Sequence, residues 1–194
     1  MSSKGLKLTD ILVTIVIAVV FGIVYRVWGS VYDFFALPGL HLEQLSYGMW
    51  YIAATVAFLI IRKPGVAIIA EMAAATAEMV MASQYGVDTL IYGFVQGLAV
   101  ELVLLATLYK RSGLIVMSIA GAAAAASSFI IDYFKGYLAD LTAWNLTLQI
   151  VLRVISGIII TGVFAYYLVK ALERTGITNL VRPASKEDYD ALDK

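Results

Sequence analysis

The sequence predicts an all-α integral membrane protein, a bundle of six spanning helices with both termini cytoplasmic. Three observations carry that prediction. The 194 residues are 61% hydrophobic and 14% charged, with a mean hydropathy of +0.87, too apolar for a soluble domain of this length. Six runs approach or exceed the roughly 20 apolar residues that a helix needs to cross a hydrocarbon core about 30 Å thick. The cations alternate along the chain: Lys4, Lys7, Arg62, Lys63, Lys110, Arg111, Lys170 and Arg174 fall at every second end of these runs, and only Arg26 and Lys135 lie near the other ends. The positive-inside rule assigns the larger set to the cytoplasm.

The first span is Leu8 to Trp28, too long for a signal-peptide core and without a small-residue cleavage site. The second, Tyr47 to Ile61, is short and is expected to start inside the preceding loop, near Leu42. The others are Gly65 to Ser83, Thr89 to Tyr109, Leu114 to Tyr133 and Asn145 to Ala171. Arg62-Lys63-Pro64-Gly65 and Lys110-Arg111-Ser112-Gly113 carry the Pro and Gly of tight turns. The connection from Gly29 to Ser46 is too aromatic for a solvated linker and is expected to fold back as a lid; the alternative is an interfacial loop of belt aromatics. Residues 1–174 thus form the membrane domain. Residues 175–194 are polar and are expected to be a partly disordered cytoplasmic tail.

Composition also removes several function classes. Zero net charge provides no basic surface for nucleic acid. The absence of cysteine excludes disulfides, zinc–thiolate sites and iron–sulfur clusters, and a single histidine, His41, argues against a histidine-rich metal site. Neither a metal nor a cofactor is expected. No Walker A pattern occurs, so ATP energy would have to come from another chain.

The informative residues are the polar ones inside the spans. Glu71 and Glu78 are seven apart, within about 20° of one helical face and about 10 Å apart in depth. A charge near the bilayer centre costs about 2.5–3.5 kcal/mol on insertion scales, so both should face a protein interior or a wet cavity. Tyr92 and Gln96 share a face of the fourth span, with Glu101 deeper and turned away. Gly121, Ala125, Ser128 and Asp132 line one stripe of the fifth span, and Asn145, Gln149 and Arg153 one stripe of the sixth.

Tyr47, Trp50 and Tyr51 cluster at the same outer ends, with Trp28, Tyr85 and Trp144 better explained as belt residues. Arg153 either neutralises Glu101 or Asp132 or meets a ligand; Gln96 and Asn145 either bind a ligand or join helices. The acids outnumber the single intramembrane cation, so either several are protonated or a cation fills the site. An acidic cavity walled by tyrosine and tryptophan suits a flat organic cation. The alanine tract Gly121 to Ser128 reads as a close-packing surface, and Ala18 with Gly22 forms a small-xxx-small pair on the first helix.

These residues resemble those of a known family, the substrate-binding (S) components of energy-coupling-factor vitamin importers, in particular the YkoE-type hydroxymethylpyrimidine/thiamine component. The likeness spans residues 8–172 and rests on Tyr47-Gly48-Met49-Trp50, Arg62-Lys63-Pro64-Gly65, Glu71 with Glu78, Gln96-Gly97 followed by Glu101, Ser128 to Asp132, and Arg153-Val-Ile-Ser156-Gly157. It implies the six-helix S-component bundle, with ligand bound toward the outside beneath the first loop. It also implies no enzymatic activity, and a separate transmembrane coupling subunit with two ATPase subunits, docked through Ala18 and Gly22. The implied ligand is thiamine or its hydroxymethylpyrimidine precursor. Glu78 or Glu71 would engage the aminopyrimidine, Tyr47, Trp50, Tyr51 or Tyr92 would stack on the rings, and Gln96, Asn145 and Gln149 would supply neutral hydrogen bonds. A stand-alone proton-coupled carrier, with Glu71 and Glu78 as its relay, is the alternative from another class.

Overall fold

A computed structural model describes residues 5–36 and 40–181, and among these every regular element is helical. In chain order they are α1 (Leu8–Phe34), a 3₁₀ segment (Leu42–Tyr51) running into α2 (Ile52–Ile61), α3 (Val66–Val80), α4 (Asp88–Ala106), α5 (Leu114–Phe134) and α6 (Ala143–Ser156). A π-helical stretch (Gly157–Phe164) and α7 (Ala165–Arg174) continue α6 as one rod, and a 3₁₀ turn (Ile177–Leu180) follows. Five of the rods are long and apolar enough to cross a membrane. The other, α3, has 15 residues, about 22 Å of rise, and is shorter than the hydrocarbon core.

The sequence Ile-Ala-Ala-Thr-Val-Ala-Phe-Leu-Ile-Ile of α2 is apolar on every side. Such a helix belongs in the middle. Every residue of α2 is buried, while α1 packs on α3, α3 on α4, α4 on α5, and α5 on the π-helical stretch around it. The 3₁₀ segment closes this ring between α1 and α6.

The alanine tract does what its composition predicts. A Cβ on Gly121 would lie 2.1 Å from the Gly157 carbonyl oxygen, and one on Gly157 would lie 2.3 Å from that of Gly121, so α5 and the π-helical stretch touch backbone to backbone. Buried hydroxyls satisfy the irregular backbone nearby. Thr55 donates to the Thr161 carbonyl at 2.8 Å, Thr161 to the Gly48 carbonyl at 2.6 Å, and Ser156 to the Leu45 carbonyl at 2.7 Å while accepting the Gly48 N–H at 2.8 Å. Non-helical backbone at membrane depth persists only where such partners exist.

Several expected boundaries change. Helix α1 continues past Trp28 to Phe34, so much of the expected first loop is helix. Glu43, Gln44 and Ser46 are buried, so the 3₁₀ segment is wedged into the bundle, and residues 37–39 of the expected lid lie outside the described residues. The second span does begin at Leu42. The fourth ends early, at Ala106, because Leu108 and Tyr109 turn left-handed (φ 52° and 56°) and the Tyr109 N–H closes on the Leu104 carbonyl at 2.9 Å. Of the expected tail, Thr178 is buried in the 3₁₀ turn, and residues 182–194 lie outside the described residues.

Ala18 and Gly22 require a correction as a docking surface. Both are buried, and a Cβ on Gly22 would lie 2.4 Å from that of Ala77. The small pair brings α1 against α3 inside the protein and is not presented outward. The exposed face of α1 carries Ile15, Val19 and Ile23 instead.

Candidate functional site

At the end of the bundle that holds the 3₁₀ segment lies a cavity of about 240 Å³, to which every spanning rod contributes. Helix α3 brings Glu71 and Glu78, α4 brings Tyr92 and Gln96, α5 brings Asp132, α6 brings Gln149 and Arg153, and the 3₁₀ segment brings Tyr47 and Trp50. Nine of the eleven residues expected to bind substrate therefore share one wall-to-wall space. Tyr51 and Asn145 do not line it. Tyr51 is fully buried behind Tyr47, ring centroids 6.1 Å apart, because the 3₁₀ segment turns it toward the core. Asn145 sits in the first turn of α6, its N–H capped by the Thr142 hydroxyl at 3.3 Å.

The cavity combines a rigid ionic wall with an aromatic one. Arg153 is 3% exposed; it donates to Asp132 at 2.6 Å, to Ser128 at 2.9 Å and to Gln44 at 2.7 Å, with its guanidinium 4.0 Å from the Tyr47 ring centroid and 4.2 Å from that of Phe129. Asp132 also accepts the Tyr92 hydroxyl at 2.5 Å. The partner of Arg153 is thus Asp132, and Glu101 serves elsewhere. Its carboxylate accepts the Gly65 N–H at 2.6 Å and the Ala67 N–H at 3.1 Å, capping the start of α3 at the opposite end of that helix.

On the aromatic side the Trp50 ring centroid lies 5.1 Å from Tyr32, 5.6 Å from Tyr47 and 5.7 Å from Tyr85. Trp144, 70% exposed, stands apart on the surface as a belt residue would.

Of the acids lining the cavity, Asp132 is paired with Arg153 and Asp88 with Lys135, whereas Glu71 and Glu78 make no ion pair among the described residues. Glu78 accepts the Ser83 hydroxyl at 2.9 Å. Glu71 is fully buried; its Oε2 accepts from Tyr25 at 3.0 Å and from the Ala54 N–H at 3.2 Å, and its Oε1 has no protein partner. Gln96 Nε2 and Gln149 Oε1 are also buried without partners. With Trp50 Nε1, likewise buried without a partner, four of the lining residues each carry one unsatisfied polar atom, two donors and two acceptors. A native interior rarely leaves such groups unsatisfied, so a bound polar molecule is the natural complement.

Residue-level reading missed Tyr32, Asp88, Thr89 and Tyr137, which also line the cavity, and placed Tyr85 in the membrane belt. Tyr32 falls on the extra turns of α1. Asp88 pairs with Lys135 at the mouth, and this carboxylate raises the lysine's pKa. The signal that could have found them is the opposed charges at facing helix ends, Asp88 opening α4 and Lys135 closing α5.

Comparisons with known proteins agree with this architecture. A family model described as the permease component of an ABC-type cobalt transport system matches residues 9–127. A Bacillus subtilis (strain 168) protein described as an HMP/thiamine permease protein, YkoE, is 33% identical over 177 residues, which covers 91% of this chain and 89% of the relative. The crystal structure of an S-component of an ECF transporter superposes with a TM-score of 0.86 at 32% identity, covering 90% of this chain and 89% of the other. The chain belongs to this family of ECF-transporter S-components: it is a multi-pass membrane protein, the substrate-binding subunit of an importer and not an enzyme.

Proposed function

We propose that this S-component captures thiamine or its hydroxymethylpyrimidine precursor from the outer side of the membrane. The observation that carries the reading is the set of buried, unpartnered polar atoms, Glu71 Oε1, Gln96 Nε2 and Gln149 Oε1, in a cavity also lined by Glu78, which accepts the Ser83 hydroxyl. An aminopyrimidine presents the matching groups. Its exocyclic amine donates to Glu71 and Gln149, and a ring nitrogen accepts from Gln96. The rings lie against Trp50, Tyr47 and Tyr92, and the thiazolium cation of thiamine faces Glu78. The relative described as an HMP/thiamine permease supports the same ligand class.

Both termini are cytoplasmic in this proposal, which follows the alternation of lysine and arginine and leaves the cavity facing outward. Residues 175–194 form a cytoplasmic tail to the membrane domain of residues 1–174. A transmembrane coupling subunit and two ATPase subunits supply the energy, and this chain makes and breaks no bond.

Equilibrium titration of the purified protein with thiamine and with hydroxymethylpyrimidine tests the proposal. Saturable binding that weakens at least tenfold in Glu78→Gln is expected. Undiminished affinity in Glu71→Gln, Glu78→Gln and the double variant would sink it.

A further inference from the structure

The two oxygens of Glu71 are treated differently by the protein. Oε2 is claimed twice, by the Tyr25 hydroxyl at 3.0 Å and by the Ala54 N–H at 3.2 Å, while Oε1 has no protein partner in a residue that lines the cavity. Tyr25 is 1% exposed, lies outside the cavity on α1, and accepts the Ala53 N–H at 3.0 Å.

Ala53 and Ala54 belong to the first turn of α2, immediately after the 3₁₀ segment ends at Tyr51. The first N–H groups of a helix have no intrahelical partner, and at this depth there is no bulk water to supply one. Tyr25 and Glu71 together accept two of these donors, which fixes the tyrosine and clamps one carboxyl oxygen. A glutamate has three side-chain torsions and two equivalent oxygens. Held by one oxygen, it has the other left without a protein partner.

We propose that Tyr25 is a positioning residue for ligand recognition: it holds Glu71 Oε2 against α1 and the start of α2 so that Oε1 is presented to the ligand. The inference rests on the ligand reading above, and it extends the recognition apparatus to a residue that touches no ligand. Without the hydroxyl, the Ala53 N–H loses its acceptor and the carboxyl is free to turn toward it, taking Oε1 from the cavity.

The test is Tyr25→Phe in the full-length protein, which keeps the ring and its packing on Phe21, centroids 6.1 Å apart. Thiamine affinity should fall about tenfold, and Tyr25→Phe added to Glu71→Gln should cost nothing further, since the group it positions is already altered. Independent, additive losses overturn the proposal. A ligand-free readout accompanies the titration: the infrared carboxyl band assigned to Glu71 by its loss in Glu71→Gln should shift in Tyr25→Phe. An unmoved band also overturns it. Should Tyr25→Phe fail to fold, 3-fluorotyrosine at position 25 retains the hydroxyl as a stronger donor, and must shift the band in the sense of a tighter hydrogen bond. Should the unaltered protein bind no thiamine, the ligand reading fails by itself, and the band alone decides whether Tyr25 governs the carboxyl.

Discussion

Arg153 of α6 and Asp132 of α5 meet at 2.6 Å with 3% and 5% of their surfaces exposed, and the free oxygen of Asp132 accepts the Tyr92 hydroxyl from α4. One carboxylate therefore joins three helices around the cavity. Removing one partner of a buried pair strands the other charge and costs about 3–5 kcal/mol, whereas replacing both with apolar residues is often close to neutral. Asp132→Asn should lower unfolding stability by that amount in detergent, and Asp132→Leu with Arg153→Met should cost less than the single change.

The neutral amides separate binding from stability. Gln96 Nε2 and Gln149 Oε1 have no protein partner, so removing them breaks no hydrogen bond within the protein. Gln96→Leu and Gln149→Leu should each weaken thiamine binding about tenfold, or about 1.4 kcal/mol, with the melting temperature held or raised. A fall in melting temperature with unchanged affinity would assign these amides to structure.

Glu101 provides the converse. Its carboxylate accepts the Gly65, Ala67 and Ile68 N–H groups at the start of α3, at 2.6, 3.1 and 3.4 Å. Hydrogen bonds to a charged group contribute about 1.5–3 kcal/mol each, and their geometry here is shared over one carboxylate. Glu101→Ala should cost roughly 2–3 kcal/mol of stability and leave thiamine affinity, measured by titration, unaltered.

The backbone contact between α5 and the π-helical stretch has no room for a methyl group. Gly121→Ala would bring its Cβ to 2.1 Å from the Gly157 oxygen, so the two rods must separate. A loss of about 1–3 kcal/mol is expected. Thermal unfolding measures it, and Ala122→Gly, at a half-buried neighbour, should cost only about 1 kcal/mol through helix propensity.

Residue by residue, the polar stripes were legible because each lies on a single helix of known period. Glu71 and Glu78, Tyr92 and Gln96, and Gln149 and Arg153 needed only the period of 3.6 to be placed on common faces, and the family resemblance followed from the same residues. The pair Ala18 and Gly22 shows the limit of such patterns. Small residues at that spacing state that something comes close, and the α3 residues Ala74 and Ala77 that meet Gly22 are far off in sequence. Tyr51 shows a second limit: position along the chain alone groups it with Tyr47 and Trp50, and the 3₁₀ segment, with about three residues per turn, points it into the core.

What the sequence by itself determined is therefore the class, the apolar runs and most of the acids and amides of the cavity, because hydropathy and helical period are local properties. Only the tertiary structure decided which oxygen or amide of each remained free. Glu71, Glu101 and Asp132 are alike as intramembrane acids. Their roles diverge because the first meets Tyr25 and the start of α2, the second the start of α3, and the third Arg153, all pairings between residues distant in the chain.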